Sequence, residues 1–124
     1  MLNFFKQIPI YIKISTNKIE ITNLNTGESV SGTAVVPFST TRLVVSNFFN
    51  AESLILALLK DLKLKRARLK ILIQQIENVE GGLSDIEKRV LRDLGEQSGA
   101  VFVKLVEHTR HLKNDEAFLE LKKK

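Results

Sequence analysis

The 124-residue chain has no cysteine and no tryptophan, and it contains only two prolines. Without cysteine it can form no disulfide framework, no thiolate metal site and no cysteine nucleophile. No apolar run approaches the roughly 20 residues that a transmembrane helix requires. Residues 1–14 contain no cleavage site of small residues, and two lysines interrupt their apolar part, so a signal peptide is not indicated. These absences predict a globular protein of the cytoplasm.

Positive charge is in excess. The formal net charge is +5, and most of the excess lies in residues 60–70 and in the lysines at 122–124. A basic balance permits an acidic partner such as nucleic acid or anionic lipid. Basic residues at the ends of helices and strands are also commonly solvated without binding a partner. Charge alone therefore leaves both interpretations open.

The most regular part of the sequence predicts a strand, a helix and a second strand. Apolar residues alternate over 69–76, and residues 100–106 are almost continuously apolar, as in a strand covered on both faces. Ser84 and Glu87 have the spacing of a capping box, and Gly99 is suited to end the helix. Such a compact unit implies parallel strands with a right-handed crossover. Four residues form the expected buried stripe of this helix: Ile86, Val90, Leu91 and Leu94.

The first half of the chain predicts an antiparallel sheet. Residues 10–14 and 19–24 alternate between apolar and polar and are separated by a short turn, which favours a hairpin. Residues 29–36 form a third strand that ends before Pro37, and residues 41–46 form a weaker extended run.

Two more helices are expected on either side of the central unit. Asn50 is predicted to cap the first, with Glu52 in its first turn, and this helix extends to residue 62. Asn114 is predicted to cap a last helix over residues 115–123, whose acidic start and basic end suit the helix dipole.

The resulting element order is β-β-β-α-β-α-β followed by a tail helix. It predicts an α/β domain with a mixed five-stranded sheet and helices on both faces. Residues 1–112 are predicted to form this single domain, and residues 113–124 the tail helix.

That element order resembles ribonuclease H-like folds, including the first (IA) subdomain of actin-like proteins. The resemblance is strongest to the MreB-type bacterial actins. Residues 70–76 resemble the apolar strand of that family and residues 84–90 (SDIEKRV) the start of its helix. Residues 98–100 (SGA) resemble its turn and residues 101–107 its last strand. The match covers most of this chain but only about a third of such a protein.

The resemblance implies an ATPase-type site, yet the chain departs from its motifs. Actin-like ATPases carry D-x-G-[ST] between the first two strands, and the corresponding turn here, residues 14–17 (ISTN), has neither Asp nor Gly. Glu87 matches the glutamate that such proteins place near the attacking water, but its capping role already explains it. Nucleotide binding is therefore expected to be lost, with no catalytic residue and no cofactor.

Other site chemistries find little support in the sequence. A ribonuclease H-type nuclease needs several converging carboxylates, and near the first strand only Glu20 is available. On a helix His108 and His111 would share a face and could bind a metal together with Glu107 or Asp115, but a plain surface pair is the favoured interpretation. The common phosphate-binding motifs are absent. No metal ligand is assigned.

These observations predict a non-catalytic protein-interaction module that docks on a protein partner or on a second copy of itself. The alternative is a small basic nucleic-acid-binding domain, with Lys63, Lys65, Arg66, Arg68 and Lys70 as a basic edge. The apolar leader at residues 1–6 could contact a membrane surface or cover an edge of the sheet.

Overall fold

The computed structural model describes residues 7–64, 67–77, 79 and 81–123. Within them the chain forms five strands and three helices. The strands are β1 (Ile8–Ser15), β2 (Lys18–Asn23), β3 (Ser29–Thr33), β4 (Leu69–Gln75) and β5 (Ala100–Val106). The helices are α1 (Phe48–Asp61), α2 (Asp85–Gln97) and α3 (Asn114–Lys122).

All five strands belong to one sheet in the order β3-β2-β1-β4-β5. β1 pairs with β2 and β2 with β3 in antiparallel fashion, whereas β1 pairs with β4 and β4 with β5 in parallel. The predicted α/β class is therefore confirmed: the sheet is mixed and five-stranded, with helices on both faces.

The main core lies between the sheet and helices α1 and α2. It follows from the period-2 pattern of β1, because Ile10, Ile12 and Ile14 point to one face and are fully buried there. Ile71 and Ile73 of β4 extend the same layer. The helices contribute further buried residues: Ala51, Ile55, Leu58, Leu59, Leu91 and Leu94.

Helix α3 covers part of the other face. Tyr11 and Leu72, which alternate with the isoleucines, form a second cluster there with Ala117 and Leu121 of the helix. The predicted helix is confirmed, although its N-cap is Lys113 and not Asn114, because the Glu116 carboxylate accepts from the backbone N–H of Lys113 at 2.9 Å. The domain boundary at residue 112 stays a prediction.

Helix α2 begins and ends as predicted. The Ser84 side chain accepts from the Glu87 backbone N–H at 3.1 Å, and the Ser84 N–H donates to the Glu87 carboxylate at 2.9 Å. Gly99, at a φ of 107°, follows the last turn. The expected buried stripe is wrong at one position, since Ile86 in the first turn is 77% exposed.

Strand β5 is not covered on both faces as expected. It lies at the edge of the sheet, where α2 and α3 overlap it only in part. Val101 is 47% and Phe102 40% exposed.

The start of α1 was predicted three residues too late. Asn47 is the N-cap, and its side chain accepts from the backbone N–H of Asn50 at 3.0 Å. The Asn50 side chain instead donates to the carbonyl of Pro37 at 3.0 Å. The first turn contains no acidic residue, so the expected place of Glu52 is also wrong.

The third strand is shorter than predicted, and residues 41–46 form no strand. A loop over residues 34–47 replaces both. Phe38 and Val44 are almost fully buried within this loop, so its apolar residues serve as anchors in the core and form no ladder with the sheet.

Candidate functional site

The residues that sequence reasoning weighed for catalysis do not converge. Glu87 is held in the capping box, and Glu20 forms an ion pair with Lys13 at 2.7 Å. Among the residues that the structure describes, no three histidine, aspartate or glutamate side chains form a group that could hold a metal ion.

The two histidines lie in an irregular segment and share no helix face. The ring of His111 lies 3.4 Å from the ammonium of Lys13, between Nδ1 and Nζ. The ring Nδ1 of His108 accepts from the backbone N–H of Arg110 at 3.2 Å. Because this segment is not helical, the shared helix face that a metal-binding pair would require does not form.

Exposed apolar side chains concentrate at one edge of the sheet. β3 and β4 both run parallel to β1, so the segments that follow them leave the sheet on the same side, at the carboxyl ends of these strands. We call this side the carboxyl edge, as distinct from the lateral edges formed by β3 and β5. The largest exposures are those of Val35 at 98%, Ile86 at 77% and Phe49 at 74%. With Val36 and Leu43 these residues form what we call the apolar rim.

Two shallow grooves accompany the apolar rim. One, of about 230 Å³, lies between residues 43–46 and the first two turns of α2, where Ile86, Val90 and Leu91 line it. The other, of about 280 Å³, lies between residues 33–36 and the start of α1. Both linings are mainly apolar. An arrangement of this kind suits apolar side chains of a partner better than a charged small molecule.

The turn between β1 and β2 holds the apolar rim in place. Asn17, at a φ of 53°, accepts through its side-chain oxygen from the N–H groups of Phe38 and Ser39 at 2.9 and 2.8 Å. Its own N–H donates to the Ser39 hydroxyl at 2.9 Å. On the other side, the N–H of Thr16 donates to the Glu77 carboxylate at 2.6 Å. The backbone N–H groups of Thr16 and Asn17 in this turn are thus both bonded to side chains of the protein itself.

A buried polar network crosses the second face of the sheet. The Tyr11 hydroxyl donates to Oε1 of Gln74, and it accepts from the backbone N–H of Leu112 at 3.3 Å. Nε2 of Gln74 donates to the carbonyls of His108 and Arg110 at 2.7 and 2.9 Å. Burial raises the pKa of the Tyr11 hydroxyl. The network fixes the segment between β5 and α3.

A second surface lies toward the amino ends of the parallel strands. Pro9, Lys70 and Phe102 are cross-strand neighbours on β1, β4 and β5, and the Lys70 ammonium lies 5.4 Å from the centre of the Phe102 ring. The Lys122 ammonium lies 4.8 Å from the centre of the Phe118 ring. Lys70, Phe118 and Lys122 line a groove of about 280 Å³, which we call the lysine–phenylalanine groove.

The predicted basic edge is only partly covered by the structure. Lys63 lies in a turn at a φ of 61°, and Lys70 lies on β4. Lys65 and Arg66 lie outside the described residues, as does the leader at residues 1–6 with its predicted membrane contact. No helix in the described part of the chain is long and apolar enough to cross a membrane.

Comparison with known proteins gives one relative in sequence. The chain is 35% identical over 103 residues to the uncharacterized protein YjaA of Escherichia coli (strain K12), across 77% of this chain and 78% of YjaA. The chain belongs to the YjaA family. The match covers more than three quarters of both chains, so the sequence similarity to YjaA extends over most of the domain and is not confined to one motif. No protein-family model matches the chain.

Two solved structures from Aquifex aeolicus share part of the arrangement. One is the PPX-GPPA enzyme, with a TM-score of 0.47, and the other is a member of the Ppx/GppA protein family, with a TM-score of 0.43. Each is 13% identical to this chain, and the match covers 81% of the chain in both cases. The chain spans 36% and 35% of the length of these proteins.

Proposed function

We propose that this member of the YjaA family is a non-catalytic protein-interaction module of the cytoplasm that docks a partner protein through the apolar rim. In this proposal it is an actin-like, MreB-like subdomain that has lost nucleotide binding. One observation carries the proposal: five exposed apolar side chains lie at the carboxyl edge of the sheet. Open α/β sheets place their ligand sites at this edge.

The size of the apolar rim fits a protein partner. Complete burial of one large apolar side chain contributes roughly 1.5–3 kcal/mol. Because the five side chains are between 41% and 98% exposed, their burial gives a gross gain of about 5–10 kcal/mol, which lies within the range of about 4–15 kcal/mol that association costs. The apolar rim therefore supports a moderate affinity, provided that the partner buries most of it.

The surroundings of the apolar rim support the loss of nucleotide binding. The side chain of Asn17 accepts hydrogen bonds from the loop over residues 34–47, and the Glu87 carboxylate accepts from Ser84. Asp85 and Glu87 place negative charge at the start of α2, where a phosphate would otherwise be attracted. On this proposal a titration with magnesium and ATP gives no saturable binding.

The proposal is tested with a charge placed in the apolar rim. A tagged protein is recovered from its own cells and washed at about 0.5 M salt, which screens charge contacts but leaves apolar docking intact. Ile86→Asp should lower the recovery of a specific partner by about tenfold, because it puts a carboxylate into the contact. Leu119→Asp is the matched control, since Leu119 is 59% exposed on α3, away from the apolar rim. Equal recovery with both variants would contradict docking at the apolar rim.

Nucleic-acid binding remains the second candidate, and the lysine–phenylalanine groove favours it. The Lys122 ammonium lies 4.8 Å from the centre of the Phe118 ring in this groove, and the Lys70 ammonium of the groove lies 5.4 Å from the centre of the neighbouring Phe102 ring. Exposed aromatic rings beside cations are the elements with which proteins bind single strands. Binding of an oligonucleotide should then weaken steeply with added salt, because phosphate contacts release counterions.

The two candidates respond differently to substitution. The double change Lys70→Glu and Lys122→Glu should remove oligonucleotide binding if the groove is responsible. The double change Lys18→Glu and Arg89→Glu, at two exposed residues of β2 and α2, alters the net charge by the same amount and is the matched control. Unchanged binding in the double variant would exclude the groove as the nucleic-acid site.

A further inference from the structure

We propose that strand β5 pairs with β5 of a second copy of this chain, in antiparallel fashion, to form a two-fold symmetric dimer. The two sheets would join into one of ten strands. This surface is separate from the apolar rim, so the inference goes beyond the proposed function and does not depend on it.

Strand β5 is an open edge. In the part of the chain that the structure describes, β4 lies on one side of it and no strand on the other. Such an edge presents unpaired N–H and C=O groups that template the addition of another strand. β3, at the opposite edge, has only five residues, of which three carry hydroxyl groups and one is Gly32. β5 has seven residues, six of them apolar, and is much the better template.

The charge on β5 does not protect this edge. Lysines on edge strands usually discourage pairing, because burial of the ammonium is costly. The Lys104 ammonium is instead tied back, since it donates to the carbonyl of Glu120 on α3 at 3.0 Å. Val101 and Phe102, near the start of β5, are 47% and 40% exposed and offer apolar contact at this edge.

One register satisfies the sequence of β5. The ladder with β4 is irregular at Val101, because Leu69 pairs with Ala100 and Lys70 with Phe102, and it is regular over residues 102–106. A two-fold axis at Val103 lies within this regular part and places Phe102 opposite Lys104 of the second copy. The aliphatic part of the Lys104 side chain can then pack against the Phe102 ring of the second copy while its ammonium stays bonded to the Glu120 carbonyl. On the other face, Val103 meets Val103 of the second copy. An axis at Lys104 would oppose two like charges, and an axis at Phe102 would leave Leu105 and Val106 unpaired.

The absence of cysteine gives a direct test of this register. Val103→Cys introduces a single thiol on the proposed axis. Across an antiparallel pair the two Cα atoms lie about 4.5–5.5 Å apart, which is within the range that a disulfide spans. Mild oxidation should therefore convert the variant to a covalent dimer. Leu119→Cys, at a position on α3 that is 59% exposed and lies outside the apolar rim, is the control and should remain largely monomeric. Equal rates of cross-linking in the two variants would overturn the register.

Sedimentation velocity tests the dimer without a cross-link. The unmodified protein should sediment as a dimer at about 100 µM, and the association is expected to persist at high salt. Val101→Lys should raise the dissociation constant by at least about tenfold, whereas Leu119→Lys should leave it unchanged. Ile86→Asp should also dimerise normally, which separates this inference from docking at the apolar rim. A monomer at this concentration, or a Val101→Lys variant that dimerises like the parent, would refute the proposal.

Discussion

A Cβ atom at Gly95 would lie 2.8 Å from Cγ2 of Val103, closer than real Cβ atoms approach their neighbours. Helix α2 therefore reaches strand β5 only because residue 95 has no side chain. The glycine is buried within the helix and costs it intrinsic stability. In exchange, the glycine allows α2 to pack closely against β5.

Gly95→Ala is expected to lower the free energy of unfolding by about 1–3 kcal/mol. The added methyl group overpacks the interface between α2 and β5, and this outweighs the better helix propensity of alanine. Urea unfolding followed by circular dichroism measures the change. In the double variant Gly95→Ala, Val103→Ala the clash is relieved, so the loss should be smaller than the sum of the two single losses. Strict additivity would show that the two residues do not meet.

The side chain of Asn17 is expected to stabilise the loop over residues 34–47. Asn17→Gly tolerates the positive φ but removes the acceptor for Phe38 and Ser39, and should cost about 1–3 kcal/mol in the free energy of unfolding. Asn17→Asp keeps an acceptor oxygen and should retain most of the stability. Chemical denaturation of the three proteins gives the comparison. A glycine variant as stable as the parent would mean that this hydrogen bonding is dispensable.

Tyr11 is expected to make the fold sensitive to alkali. Burial raises the pKa of its hydroxyl above the ordinary value of 10.0, so above that pH the unfolded chain loses a proton that the folded chain retains. The stability contributed by the neutral hydroxyl is complete below pH 10.0 and is lost as pH rises through the folded pKa. Urea unfolding at about pH 8 and about pH 10.5 measures this loss. Tyr11→Phe should show a shallower decline, and an identical decline in both proteins would contradict the assignment.

Glu116 is expected to make the stability of the fold sensitive to acid. The hydrogen bond from the backbone N–H of Lys113, together with the Arg110 side chain, lowers the pKa of its carboxyl below the ordinary value of 4.5. Its contribution to stability is present above pH 4.5 and is lost as pH falls through the folded pKa. Thermal unfolding from about pH 5.5 to about pH 3 should show a smaller decrease for Glu116→Gln than for the parent. Glu28→Gln, at an exposed turn, is the control and should behave as the parent does.

The fold could be predicted because period and capping act locally. Alternation in β1 and the capping box at Ser84 are each specified by residues close together in sequence, and both are confirmed. The start of α1 could not be predicted as securely. Asn47 and Asn50 are equally good caps in sequence, and the choice depends on Pro37, whose carbonyl occupies the Asn50 side chain.

The candidate site was largely missed for a related reason. Ile86 fits the apolar stripe of α2, but the stripe meets the core only after the first turn, so the sequence predicts it buried and the structure exposes it. The polar network was missed as well, although a signal for it exists. Gln74 directly follows the apolar run at residues 71–73 of β4, and a fully buried amide requires partners. Those partners, Tyr11 and the segment before α3, are distant in sequence.

The most direct measurement of the central claim is in-cell photo-cross-linking from the apolar rim. A photoreactive phenylalanine derivative replaces Val35, which is 98% exposed on the apolar rim, or Leu119, which is 59% exposed on α3. The account predicts one discrete protein adduct from position 35 that disappears when Ile86→Asp is added, and no such adduct from position 119. The same adduct from both positions, or one from position 35 that survives Ile86→Asp, would contradict the account.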